Sequence, residues 1–325
     1  MAMNSRELVH SSIEFRGVDR LPHSFGPGFD TDIEWVSMEP WLDARPRNTY
    51  DEWGAYWENI GNCKTGEVKI FPIAEWSDME KFQVPDIDLP ARWENLRDIR
   101  QKYPDKFLLG MGVSIYERIH FLRGLENTWM DIIQNPEELS KVIRILVDIN
   151  LRAIEHYASE DVDGMIILDD WGLQESMMIA PKHWRKYWKP AYAEIFAALH
   201  AKGMKAFLHS CGNILAIMDD LIEIGLDVIQ MDQQENMTLE VLGERFAGRI
   251  NFYSPVDVQK TLARGIPDEI VAYAHKMQDQ LWTEKGGLIA TWYADPVGAG
   301  HSKLAVDTMC QAFMEISKQI SKKIS

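Results

Sequence analysis

Along most of the chain, short unbroken apolar runs alternate with longer stretches in which apolar residues return every three or four positions. The first pattern belongs to buried parallel strands and the second to amphipathic helices. The runs predict strands at 107–113, 164–168, 206–209, 228–231, 250–253 and 288–291. Between and after them the helical period covers 137–159, 181–202, 214–224, 239–246, 267–284 and 303–316. Near the start, residues 5–14 read as a short capped helix and 21–25 as a further strand. Strand followed by helix, repeated, is the order of a parallel sheet with crossover helices.

Seven strands are counted in this way, and an eighth is expected between residues 66 and 76. Eight such units close a barrel, so the expected fold is α/β: a single (β/α)8 TIM barrel spanning residues 1–325. Residues 26–90 interrupt the rhythm with Pro, Gly, Asp and Trp and with short hairpin-like pieces such as 67–73. An irregular segment of this length is expected to cover the C-terminal face of the barrel, where such folds keep their sites. The competing arrangement is an open doubly wound sheet, but neither G-x-G-x-x-G nor G-x-x-x-x-G-K-[ST] occurs.

Composition narrows the partners. With 34 Lys+Arg against 50 Asp+Glu the formal net charge is −16, the wrong sign for nucleic acid or an anionic membrane surface. No run approaches the roughly 20 apolar residues of a membrane span. The polar start MAMNSRELVH lacks the apolar centre of a signal peptide, so a cytoplasmic protein is expected. Cys63 in a polar loop, Cys211, and Cys310 on the apolar face of a helix are too scattered for a disulfide framework.

In a barrel the chemistry is sought immediately after each strand. Those positions hold Glu117-Arg118, Asp169-Asp170-Trp171, His209-Ser210-Cys211-Gly212, Asp232-Gln233-Gln234, Val256-Asp257 and Trp292-Tyr293. The H-x-C pair places an imidazole and a thiol two residues apart, and zinc takes both readily, needing about three protein ligands with one position open. The same pair also suits a small buried Cys211 beside a His209 bonded to the neighbouring strand. Asp169 and Asp170 end a buried strand and serve either as metal, histidine or proton partners or as helix caps. Glu117-Arg118 reads as a site pair or an internal ion pair, and Glu155, Glu160, Asp161 and Asp163 as solvated charges. His301, after Gly298-Ala299-Gly300, either reaches the site or lies on the surface. Trp35, Trp41, Trp53, Trp57, Trp76, Trp171 and Trp292 are placed to wall a pocket for an apolar or aromatic ligand, whereas Trp184, Trp188 and Trp282 belong to helices.

Taken in order, these residues resemble the uroporphyrinogen decarboxylase superfamily, which holds decarboxylases and corrinoid-dependent methyltransferases. The resemblance begins at Ser5-Arg6-Glu7 and Asp19-Arg20-Leu21-Pro22 and passes through Asp51-Glu52-Trp53-Gly54, Tyr116-Glu117-Arg118 and Leu122-Arg123-Gly124-Leu125-Glu126. It is densest from Asp169 to Gln174, through His200, His209 to Asn213 and Ile224 to Asp227, to Val256-Asp257-Val258-Gln259. It implies a single (β/α)8 barrel, in agreement with the strand count.

The true decarboxylases of that superfamily carry an arginine-rich segment after the first strand and an N-L-G-H-G-I-type segment at the last. Here the first reads His23 to Asp30 without Arg, and the last Ala290 to Asp295 without His. The zinc methyltransferases resemble the chain at His209 and Cys211, which the resemblance makes zinc ligands. Their second cysteine lies near the last strand, where this chain has Trp292-Tyr293, so Glu117 or Asp170 is expected to complete the shell or act as general acid. The implied activity is zinc-assisted transfer of a methyl group between a small substrate, such as a methoxylated aromatic, and a corrinoid (cobalamin) on a separate protein. Trp171, Gln234, Asp257, Trp292 and Tyr293 are then expected to line the substrate pocket. The alternatives are a metal-independent decarboxylase of a small carboxylate, with Asp169 or Asp170 handling the proton, and a non-catalytic ligand-binding barrel.

Overall fold

The computed structural model describes residues 3–59 and 66–324; Cys63 lies outside the described residues. Helix α1 (Ser5–Ile13) precedes β1 (His23–Ser24) and β2 (Ile33–Val36). A long excursion carries β3 (Thr49–Tyr50), β4 (Tyr56–Asn59), β5 (Gly66–Ile70) and α2 (Ile99–Lys102) before β6 (Phe107–Met111). Then follow α3 (Tyr116–Arg123), α4 (Leu125–Gln134), α5 (Pro136–Ser159), β7 (Gly164–Leu168), α6 (Pro181–Ala201), β8 (Lys205–His209) and α7 (Met218–Glu223). The chain continues through β9 (Val228–Gln230), α8 (Leu239–Phe246), β10 (Asn251–Ser254), α9 (Thr261–Arg264), α10 (Pro267–Leu281), β11 (Leu288–Thr291) and α11 (Lys303–Ile324).

Eight parallel strands run in the order β1-β11-β10-β9-β8-β7-β6-β2 and form a nearly closed barrel. The seam between β1 and β2 is drawn together by the Asp32 amide, which donates to the His23 carbonyl at 2.7 Å. Alternate residues point inward, and Ile33, Phe107, Leu109, Ile166, Phe207, Val228 and Ile289 fill the interior. Their strand neighbours, such as Leu108, Met165, Leu208 and Phe252, face outward into the core shared with the helices. Helix α1, started by an Asn4–Glu7 capping box, sets Val9 and Ile13 against the lower end of the interior.

The floor is tied by charge. Asp163, read from the sequence as a solvated carboxylate, is buried, with Arg6 at 2.6 Å and Arg100 at 2.5 Å. Arg6 thereby joins the N-terminal helix to the barrel, and Arg100 joins α2 to it. Among the described residues no helix is long and apolar enough to cross a membrane.

The eighth strand is β2, not a segment within 66–76. Residues 66–70 are largely exposed and belong to a small antiparallel sheet in the order β3-β4-β5. Four-residue β2 has buried residues only at its two ends, Ile33 and Val36, and so forms neither an apolar run nor an alternation. It follows β1 through a loop, without an intervening helix.

The excursion over residues 37–106 is pinned to the barrel through buried polar contacts. Arg118 and Asp43 are both fully buried and ion-paired, and Arg118 also bonds Asp51 at 2.8 Å. Asp43 accepts the Ser114 amide at 3.0 Å, and the Trp41 indole donates to the Gly112 carbonyl at 3.0 Å. Arg118 thus pairs with the excursion and not with its neighbour Glu117. Arg118→Met is expected to cost about 3–5 kcal/mol in urea unfolding, since Asp43 would keep a buried, uncompensated charge. The double change with Asp43→Asn, which still accepts the Ser114 amide, should recover part of that loss, the share from Asp51 remaining; no recovery would refute the Asp43 pairing as its main cause.

Candidate active site

Two glycines bring the β7 and β8 exits together. A Cβ on Gly172 would lie 2.4 Å from Gly212, and one on Gly212 would lie 2.3 Å from Gly172. Gly212 also takes a φ of +74°, in the left-handed region. The two loops therefore run in backbone contact, and Asp170 accepts the Cys211 amide at 2.7 Å.

This contact assembles three donors. His209 Nε2 is 3.2 Å from Asp170 Oδ1 and 3.5 Å from Cys211 Sγ. All three potential ligand atoms lie within 4.8 Å of one another, the one such group found among the described residues. On the far side of the ring, Nδ1 hydrogen-bonds Gln230 Oε1, whose amide nitrogen donates to Asp232 at 2.7 Å. An amide oxygen can only accept, so Nδ1 carries a proton and Nε2 is the ring nitrogen turned to the Asp170–Cys211 side, free to bind a cation once it gives up its own proton.

Burial pushes the Cys211 thiol up to about 12, and the Asp170 charge adds to that. Burial opposes charging of His209, yet Cys211 and Asp170 hold its pKa well above the usual range. Asp170 is lowered despite burial, through its contact with His209. Sulfur, nitrogen and oxygen donors at this spacing are the set that zinc takes, and a cation among them would relieve the cost of ionising the thiol.

The three donors line a cavity of about 670 Å³ at the C-terminal ends of the strands. Trp35, Trp41, Tyr253, Trp292 and Tyr293 supply aromatic walls, with Met111 and Leu168 toward the barrel interior. Glu117 also lines it, 3.0 Å from Arg45 of the excursion. Burial raises the Glu117 carboxyl to about 8, with Asp170 and Asp169 adding to the shift and Arg45 opposing it. A groove of about 730 Å³ between α6 and α7 is larger, but surface ion pairs such as Arg185–Asp220 and Arg245–Asp219 stand along it. Size alone does not select the site; the convergence of donors does.

The sequence model of uroporphyrinogen decarboxylase (URO-D) matches residues 62–291. The chain belongs to that family. Among solved structures it is similar to a methyltransferase from Methanosarcina mazei, at 15% identity over 96% of this chain and 99% of the other, with a TM-score of 0.71. A B12-independent methionine synthase from Shewanella sp. W3-18-1 is a more distant likeness, at 11% identity over 80% of this chain and 70% of the other, TM-score 0.49. At 15% identity the first likeness speaks to the fold alone. A search of the curated proteins finds no match.

Of the residues expected in the pocket of this URO-D family barrel, Trp292 and Tyr293 line it with Glu117, Asp170, His209 and Cys211. Trp171, Gln234 and Asp257 do not. Trp171 is fully buried behind the site, stacked on Tyr116 with ring centroids 3.9 Å apart, and its indole donates to Tyr192. The Gln234 amide nitrogen donates to the Met231 and Pro255 carbonyls, and Asp257 accepts the amides of Lys260 and Glu235. The sequence pattern does not single out Arg45 or Gln230, which both line the cavity. Arg45 lies in a segment without periodic signal, whereas the polar Gln230 inside the run Val228-Ile229-Gln230-Met231 was a visible cue.

Asp169 takes the structural role of its pair. Its oxygens accept the amides of Ile115, Tyr116 and Glu117 at 2.8–2.9 Å and the Tyr192 hydroxyl at 2.5 Å. It thereby holds the start of α3, and with it the Glu117 backbone. Asp169→Asn is expected to cost about 2–4 kcal/mol in chemical denaturation, because an amide group turns a donor toward existing donors. A cost under about 1 kcal/mol would show that this anchor is dispensable.

Proposed function

We propose that the chain is a zinc-assisted methyltransferase that moves a methyl group between a small uncharged substrate, of the methoxylated-aromatic type, and a corrinoid carried by a separate protein. The observation that carries this reading is the Asp170–His209–Cys211 triad opening onto an aromatic-walled cavity. Asp170, His209 and Cys211 would hold the zinc, with Asp170 in place of the cysteine that the last strand lacks. When bound, the ion supplies a Lewis acid that stabilises the electron pair left on the departing oxygen.

The chain's own residues account for the remaining requirements. Gln230 keeps His209 in the tautomer that presents Nε2. The tryptophan and tyrosine walls exclude water and orient a flat ring. Glu117, raised to about 8, keeps its proton at neutral pH and is placed in the cavity to give it to the departing oxygen. Arg45, the one guanidinium in the cavity lining among the described residues, stands close to Asp43 and Asp170, and Asp170, Asp232 and Asp295 line the same cavity, which favours an uncharged ligand over a carboxylate. This counts against the small-carboxylate decarboxylase, as does the occupation of Asp169 by backbone amides.

About one zinc per chain is expected after purification without chelator, and Asp170→Ala, His209→Ala and Cys211→Ala should each weaken zinc affinity by about a hundredfold or more. Affinity should fall on acidification, because protons compete for the imidazole and thiolate. Competition titration with a chromophoric chelator measures both, and unchanged zinc retention in the His209→Ala/Cys211→Ala double variant refutes the site.

A group that acts protonated gives a rate that is flat below its pKa and declines above it. Methyl transfer should therefore fall as pH rises through a value at or below about 8, since a bound cation lowers a neighbouring carboxyl. Glu117→Gln should remove that alkaline limb and slow turnover by about 10²–10⁴-fold. Persistence of the limb in this variant assigns it elsewhere.

A further inference from the structure

Trp292 has a cavity on each side. Besides the metal-site cavity it lines a smaller chamber of about 250 Å³, formed with Phe29, Val297, His301 and Cys310 among others. The partition is held in place: a Cβ on Gly26 would lie 2.4 Å from the Trp292 ring, so the indole rests directly on that glycine. The charged pair on this chamber, Lys303 and Asp307, is neutralised within itself.

One polar atom in the chamber lacks a partner. His301 is 93% buried, contrary to a surface histidine, and its Nε2 bonds the Val258 carbonyl at 2.9 Å. A carbonyl only accepts, so Nε2 carries the proton and Nδ1 is left as a bare acceptor. Nδ1 is buried and has no hydrogen-bond partner, on a ring that lines the chamber. A buried acceptor without a donor costs about 1–3 kcal/mol and is the mark of a missing partner.

We propose that this chamber is a second ligand subsite, which takes an uncharged six-membered ring bearing a hydroxyl donor, a phenol, with that hydroxyl bonded to His301 Nδ1. The volume suits such a ring, since cavities of about 150 Å³ lined by apolar side chains already take up benzene. The apolar walls of Phe29, Trp292 and the buried Val306 hold the ring face, and the single acceptor fixes its orientation. This subsite stands apart from the metal donors and does not depend on them.

Calorimetric titration of the full chain with phenol and with toluene tests it. Phenol should bind about tenfold more tightly, because toluene leaves Nδ1 unpaired. His301→Phe should erase that preference, and Cys310→Phe, which fills the chamber, should abolish binding of both probes; circular dichroism melts establish that each variant is folded. Equal affinities for the two probes, no phenol binding up to about 10 mM, or full phenol affinity in folded Cys310→Phe each overturns the subsite. Zinc content, measured in the same samples, reports on the metal site separately, so loss of one reading leaves the other standing.

Discussion

Backbone contact between Gly172 and Gly212 is the constraint on which the site depends. With no side chain on either residue, the loops leaving β7 and β8 lie against each other and exchange hydrogen bonds, Gly172 to Cys211 at 3.1 Å and Asn213 to Leu173 at 2.7 Å. The Trp171 amide adds a bond to Ser210 Oγ at 2.9 Å. Locked in this way, a carboxylate from one strand exit stands within reach of the imidazole and thiol of the next. Neither glycine contributes a reactive group, yet any Cβ would part the loops and separate Asp170 from His209 and Cys211.

Neighbouring aspartates then meet opposite fates for a simple reason. Successive residues leaving a strand point to opposite sides, so Asp169 turns into the protein to gather the amides that open α3, while Asp170 turns to the cavity. The excursion over residues 37–106 completes the surroundings by bringing Arg45 opposite Glu117 and Trp41 onto Gly112. Its attachment through the buried Arg118–Asp43 pair makes the cavity wall part of the folded core.

What was legible in the sequence was local. Apolar runs such as Gly164–Leu168 mark strands because parallel strands are buried on both faces, and the residues after them mark the catalytic face whatever their chemistry. The eighth strand escaped because Ile33–Val36 is short and half exposed, and the more regular residues 66–70 pair in a surface sheet. Trp171, Gln234 and Asp257 sit at strand exits like the true lining residues, but the direction of a side chain at a loop is set by its three-dimensional neighbours. Asp163 and His301 were misread for a related reason: a polar residue announces its charge in the sequence and not its burial.

By itself the sequence determined the barrel class, the family resemblance and the pairing of an imidazole with a thiol at one strand exit, because each depends on spacing within a few residues or on order along the chain. Tertiary structure alone decided that Asp170 and not Glu117 stands beside that pair, that Arg45 faces Glu117, and that Trp292 divides two cavities. Those relations join residues far apart in the chain, and only closure of the barrel and backbone contact between its loops bring them within ångströms.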